Sequence, residues 1–279
     1  MSPRPPSQSR GPRRGPNARL TTRPSSPRRP QNEGLGGDQV EGRRAVLEVL
    51  KARRRTVQRI LLADQQDPSD ILDAIEREAQ RQRVPVSVVS MARLDREART
   101  EGHQGVVAFA GRLPTTDLDT LAGDPRAFLL VCDGVTDPRN LGAMLRSADG
   151  AGVTGVILPR HRSARISPSV TKTAAGAIEY LNFCDVGGIP SALDQLAKAG
   201  VLTVGLAGEA TDSLYDLDLG SGPVALVVGG EEKGLASLTR KRCAAVVSIP
   251  QLGKISSLNA GVAYSIAAFE VARQRRLFR

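Results

Sequence analysis

Two spacings of apolar residues take turns along most of this chain. "EGRRAVLEVLKARR" sets Ala45, Val46, Val49 and Leu50 at helical spacing, and "PSDILDAIEREAQRQR" (68–83) repeats that period behind a cap at Ser69 or Asp70. "VQRILLA" (57–63), "VPVSVVS" (84–90) and "HQGVVAFAG" (103–111) have the shorter apolar runs of strands. Helix and strand in alternation predict a small α/β domain over residues 36–112. Turn and cap residues in "RLPTTDLDTLAGDP" predict a linker at 113–126.

The remaining residues, 127–279, predict a second α/β domain. "AFLLVCDGV" is nearly continuous in apolar residues, as a strand buried on both faces must be. "DPRNLGAMLRSADGAG" then reads as helix, "VTGVILP" as strand, "SPSVTKTAAGAIEYL" and "SALDQLAKAG" as helices. "VLTVGLAG", "GPVALVVGG" and "VVSIP" are strands, and "NAGVAYSIAAFEVARQRR" is the last helix. Such a repeat predicts a parallel sheet with helices on both faces, where ligands gather beyond the carboxyl ends of the strands. Three polar loops fall there: "DGVTDPRN" (133–140), "GGEEKG" (229–234) and "IPQLGKISSLN" (249–259).

Composition changes this picture in four ways. Aromatic residues make up only 3% and Trp is absent, so the core is built from Leu, Val, Ile and Ala. Cys132, Cys184 and Cys243 have no paired spacing, which fits neither a disulfide framework nor a metal site and points to the reducing cytoplasm. No apolar run is long enough for a membrane span. The net charge of +10 is concentrated: residues 1–30 carry eight Arg and no acid, which leaves +2 for all the rest. Eight prolines share that segment, and a disordered Arg/Pro-rich tail over 1–35, suited to a polyanion such as RNA, is expected.

Familiar catalytic plans fail on inspection. There is no G-x-G-x-x-G after the first strand, no phosphate-loop spacing and no G-x-S-x-G elbow. His103 and His161 are the only histidines and lack zinc spacing, so no metal is expected. The three loops instead offer close main-chain approach at Gly229 and Gly230, acceptors at Glu231 and Glu232, orienting amides at Asn140 and Asn259, and phosphate-holding guanidinium groups at Arg139 and Arg146. That set suits a nucleoside-containing cofactor beside a nucleic acid. Each residue also has a plain structural use. Asn140 could cap a helix starting near Leu141, Ser257 and Asn259 could cap the last helix, Glu231 could be a loop acid, and Arg146 a solvated helical side chain. Asn140 and Arg146 stand about 240° apart on a helix, so they converge only if Asn140 precedes the regular turns. His103 reads as structural, and the basic loop "PRHRSAR" as a further RNA contact.

"DGVTDPRNLGAMLRSADGAGVTGVILP", "VALVVGGEEKGL" and "VVSIPQLGKISSLNAGVAYSIAAFE", in this order, resemble the three signature motifs of the SpoU (TrmH) family of RNA ribose 2′-O-methyltransferases, in the SPOUT superfamily. Residues 41–111, "HQGVVAF" included, resemble the small L30e/L7Ae-like substrate-binding domain of the bacterial 23S rRNA guanosine 2′-O-methyltransferase branch. One departure is Lys233, where the family's loop is often acidic. The resemblance implies S-adenosylmethionine as cofactor, a C-terminal trefoil knot, RNA as substrate and a homodimer with composite sites. It implies cofactor contacts at Gly229, Ile249 and Leu258, and catalytic roles for Asn140, Arg146, Glu231, Ser257 and Asn259. In the family scheme Arg146 is the base. Because a guanidinium is effectively never deprotonated, a phosphate clamp that also steadies developing alkoxide charge is the simpler role. A tRNA 2′-O-methyltransferase, a resistance-type rRNA methylase and a non-catalytic RNA-binding protein are the competing readings.

Overall fold

The computed structural model describes Met1, residues 35–254 and residues 257–276. The Arg-rich tail lies outside the described residues except at its two ends, and Ser256 lies outside them too. At the inner end, Leu35 is already buried in the large core and belongs to the packed structure.

The chain builds two sheets. The first takes β1 (Gln39–Glu41), β2 (Val57–Ala63), β3 (Val86–Val89) and β4 (Val106–Ala110), in the order β1-β4-β2-β3. Its β2–β3 pair is parallel and its other pairs antiparallel. α1 (Arg43–Ala52) and α2 (Asp70–Arg81) cover one face through Val46, Leu50 and Ile75, while α3 (Met91–Glu97) places Leu94 on the other. α4 (Leu118–Ala122) lies in the segment expected to be only a linker, and buries Leu118, Leu121 and Ala122.

The second sheet contains β5 (Phe128–Asp133), β6 (Gly155–Pro159), β7 (Phe183–Val186), β8 (Leu202–Leu206), β9 (Asp212–Ser213), β10 (Val224–Gly229) and β11 (Ala245–Ser248). Their order is β7-β6-β5-β10-β8-β11-β9, and every pair is parallel. The apolar run of β5 is explained by its alternation. Phe128, Leu130 and Cys132 face the core under α5 (Pro138–Gly150) and α9 (Ala260–Gln274), and Leu129 and Val131 face α4 and α7 (Ile189–Lys198). α6 (Pro168–Thr173) packs on α5, and α8 (Ser237–Arg242) on α7.

The helix expected over "SPSVTKTAAGAIEYL" breaks in two. Ala175 and Gly176 take positive φ of 51° and 92°, which ends α6 and starts a 3-10 turn at Ala177–Glu179. The turn presents Glu179 to Arg55 in a bidentate pair of 2.6 and 3.0 Å whose side chains are 1% and 2% exposed. Arg55 also donates to the carbonyls of Gly111 at 2.7 Å and of Gly37. Its neighbour Arg54 donates to Leu181 O and Asn182 Oδ1. The two arginines therefore fasten the first sheet to the second with few unspent donors.

Candidate functional site

The site forms where β5, β10 and β11 end. α5 begins with Pro138 behind Asp137, whose Oδ1 accepts the Arg139 N–H at 2.8 Å. Asp137, not Asn140, is the cap. Asn140 lies inside the first turn, 7% exposed, with its amide turned toward the neighbouring loops.

The last helix starts with a true cap. Asn259 Oδ1 accepts N–H bonds from Gly261 at 2.9 Å and Val262 at 3.2 Å. That fixes which end of the amide is oxygen and leaves both Nδ2 hydrogens facing away from the helix. One goes to Asn140 Oδ1 at 2.9 Å and the other to Glu231 Oε1 at 2.5 Å. A single side chain thus caps α9 and ties together all three polar loops, with its hydrogen-bonding capacity filled.

The middle loop turns on glycine. A Cβ on Gly229 would lie 2.1 Å from the carbonyl carbon of Gly234, so no side chain fits while the loop folds back. Gly234 has φ +59° and returns its N–H to Gly230 O at 2.8 Å. The far end is pinned by Asp133, whose Oδ2 accepts the Ala236 N–H at 2.8 Å.

Two clefts flank this loop and share Gly229–Gly234 as their wall. One, of ≈ 860 Å³, is bounded by Leu206, Ile249, Ser257, Leu258 and Asn259. The other, of ≈ 980 Å³, is bounded by Asp133, Asn140, His161 and Arg162. Both lie within the size range of small-ligand sites. The first sets the apolar side chains of Leu206, Ile249 and Leu258 beside exposed main chain and fits an adenosyl group; the second has more charged side chains in its lining.

Of the residues singled out from sequence, Gly229, Glu231, Ile249, Ser257, Leu258 and Asn259 line the first cleft, and Asn140 reaches them through Asn259. Arg146 lines neither cleft. It is exposed on another face of α5, because Asn140 belongs to the regular helix and the angle between them holds. Asp133 lies in the expected site loop 133–140 but is not singled out from sequence, although its place at the carboxyl end of an apolar strand is a signal. His103 is buried in the first sheet's surroundings, 2.9 Å from Asp95 Oδ1, and accepts the Gly105 N–H. Beneath the site, burial first and the Asp133 charge second push the Cys132 thiol up to about 12. The same two causes, with Arg240 opposing, bring Cys243 to about 11.

Comparisons with known proteins agree with this geometry. Residues 127–269 match the SpoU rRNA Methylase family, and residues 39–116 match the model described as RNA 2′-O ribose methyltransferase substrate binding. The chain is 42% identical over 244 residues to the 23S rRNA (guanosine-2′-O-)-methyltransferase RlmB of Shewanella oneidensis, spanning 86% of this chain and 98% of that one. The RlmB of Xanthomonas axonopodis pv. citri is 46% identical over 209 residues, 73% of this chain and 84% of the relative. Among solved structures, the SpoU methyltransferase AviRb from Streptomyces viridochromogenes in complex with the cofactor AdoMet superposes with a TM-score of 0.72 at 25% identity, covering 86% of this chain and 91% of that one. With matching models on both sheets and relatives similar over nearly their whole length, this chain belongs to the SpoU rRNA methylase family.

Proposed function

We propose that the chain transfers a methyl group from S-adenosylmethionine to the ribose 2′-hydroxyl of a guanosine in 23S rRNA. The observation that carries this reading is the Asn259 amide, which joins Asn140 and Glu231 at the wall between the two clefts. The relatives named for that activity align over both sheets, and the substrate-binding model covers the first.

Bound S-adenosylmethionine supplies an electrophilic sulfonium methyl. Gly229 would hold it through main chain, and Ile249 and Leu258 through apolar contact. Asn140 and the second carboxylate oxygen of Glu231 take hydrogen bonds from the incoming ribose and fix its 2′-hydroxyl for in-line attack. Ser257 adds a hydroxyl on the cofactor side. Because Asn140 and Glu231 are already oriented by Asn259, little reorganisation of these two is required during reaction.

Arg146 enters through a homodimer. On α9, Val262 and Phe269 are 49% and 41% exposed and share one face, next to the α5 face that carries Arg146. Pairing two copies there covers the apolar row and brings Arg146 to the partner's site as a phosphate clamp. The trefoil knot is supported by β10 lying between β5 and β8 and by α9 returning to pack on α5 and β10. The L30e/L7Ae-like character of residues 36–112 rests on their compact sheet, and the Arg-rich tail of residues 1–35 is an added RNA contact. Residues 113–126 connect this unit to the catalytic unit, residues 127–279. No helix of the described residues is long and apolar enough to cross a membrane, and the cytoplasm, where rRNA is assembled, is the proposed location.

The test is methyl transfer from tritiated S-adenosylmethionine to 23S rRNA and to tRNA, each from a strain lacking the gene. Label in 23S rRNA alone, resistant to alkaline cleavage at a guanosine, is the expected result. Label in tRNA alone, or in neither, would refute the assignment.

A further inference from the structure

The ≈ 980 Å³ cleft is the larger of the two at the site, and its floor and lip carry opposite chemistry. The floor is Asp133. Its Oδ2 is held by the Ala236 N–H at 2.8 Å, so the carboxylate is fixed in orientation, and among the described residues Oδ1 has no hydrogen-bond partner. The lip is the loop from β6 to α6. Ser163 Oγ and the Ala164 N–H both donate to Val135 O, at 3.2 and 2.8 Å, which stitches the loop to the start of the site. Within it Arg162 holds φ +60°, a left-handed conformation unfavourable for any residue but glycine.

Charge in this loop is unevenly spent. Arg160 and Arg165 are both paired with Asp185, at 3.8 and 3.1 Å. His161 and Arg162 have no ion pair or hydrogen bond among the described residues, and both line the cleft. A strained, tied-down loop that leaves two nitrogen donors at the mouth of a polar cavity is arranged to receive something. The cavity adjoins Asn140 and Glu231.

We propose that this cleft seats the base of the splayed-out target guanosine, with Asp133 accepting from its Watson–Crick edge and His161 and Arg162 donating to its O6 and N7. The proposal rests on the methyltransfer reading above and adds how the base is chosen. Guanine places N1–H and N2–H₂ donors on one edge and O6 and N7 acceptors beside them. An acceptor floor and a donor lip match that pattern. Adenine would set its N6 amino group against the lip and its N1 lone pair against Asp133, leaving polar groups on both sides unpaired. A single-stranded or bulged RNA site supplies such an exposed base.

Binding of guanosine 5′-monophosphate and adenosine 5′-monophosphate to the full chain tests this without catalysis, with S-adenosylmethionine titrated in parallel. Two variants keep the fold. Asp133→Asn retains a carbonyl oxygen for the Ala236 N–H and replaces the free acceptor by a donor. Arg162→Gly suits the left-handed backbone. The wild-type chain should bind the guanine nucleotide at least about tenfold more tightly than the adenine nucleotide. Asp133→Asn should reduce that ratio to within about threefold, and Arg162→Gly should weaken guanine binding about fivefold or more, with cofactor affinity unchanged in both. Equal binding of the two nucleotides, binding of neither, a preference that survives Asp133→Asn, guanine binding unchanged in Arg162→Gly, or parallel loss of nucleotide and cofactor would overturn it. A chain that selects guanine in this way but methylates no RNA would refute the catalytic reading and leave the base pocket standing.

Discussion

Two polar clusters hold this molecule together at different places, and they make nearly the same bonds. Arg55 and Glu179 form a bidentate pair with almost no exposure, bordered by main-chain carbonyls. Asn259, Asn140 and Glu231 form a chain of side-chain hydrogen bonds of similar completeness, but at the meeting of two clefts. Satisfaction of polar groups therefore does not mark a site. Access does: the first cluster has no room for a ligand, and the second leaves a carboxylate oxygen and two cavities open beside it.

This contrast is sharpest under mutation. Glu179→Ala strands a buried guanidinium between the two sheets and should cost about 3–5 kcal/mol of stability. Chemical denaturation measures it, and a loss under about 1 kcal/mol would mean that water reaches Arg55 freely. Asn259 should divide in two. Asn259→Asp keeps the oxygen that caps α9 but loses both donors and sets a carboxylate beside Glu231, so melting changes little while methyl transfer falls about a hundredfold. Asn259→Ala should lose the same activity and about 1 kcal/mol of stability as well. Equal activity in Asn259→Asp and wild type would reduce the residue to a cap.

Much of the fold was legible because its core obeys simple periods. The β5 and β10 runs and the α5 and α9 helices lie where their apolar spacing places them. The misses have local causes. β1 is three residues inside a Gly-rich stretch, so its three buried side chains leave no pattern to count. α3 and α8 are seven and six residues long, too short for a helical period, and α8 is mostly polar. β7 has only four residues, FCDV, too short for an apolar period to count. At the site, residue types could be read but not their pairing. Nothing along the chain says that Asn259 meets Asn140 across 119 positions, and the angle that keeps Arg146 outside the clefts decides only once Asn140 is known to lie within the regular helix.

Two smaller effects sharpen the difference between a closed cluster and an open one. Gly229→Ala would push a methyl group into the Gly234 backbone, so the loop must open; S-adenosylmethionine affinity should drop about tenfold or more by calorimetry, and an unchanged affinity would show that the wall is pliable. The thiols report on the floor below. With Cys132 at about 12 and Cys243 and Cys184 at about 11, all above the ordinary 9.0, each is a neutral thiol at pH 8. Iodoacetamide should therefore label the native chain far more slowly than the unfolded chain, with a rate still rising between pH 9 and about pH 11. Rapid labelling of Cys132 at pH 8 would mean that solvent enters under Asp133.

The central claim is that the linked amides position the reacting ribose, over and above the cap that Asn259 gives α9. Asn140→Ala tests it most directly, since Asn259 can still cap α9 and bond Glu231. The measurement is the single-turnover rate of methyl transfer at saturating RNA and S-adenosylmethionine. The account predicts a loss of about a hundredfold with melting temperature and cofactor affinity unchanged. A wild-type rate, or a loss matched by equal loss of stability, would contradict it.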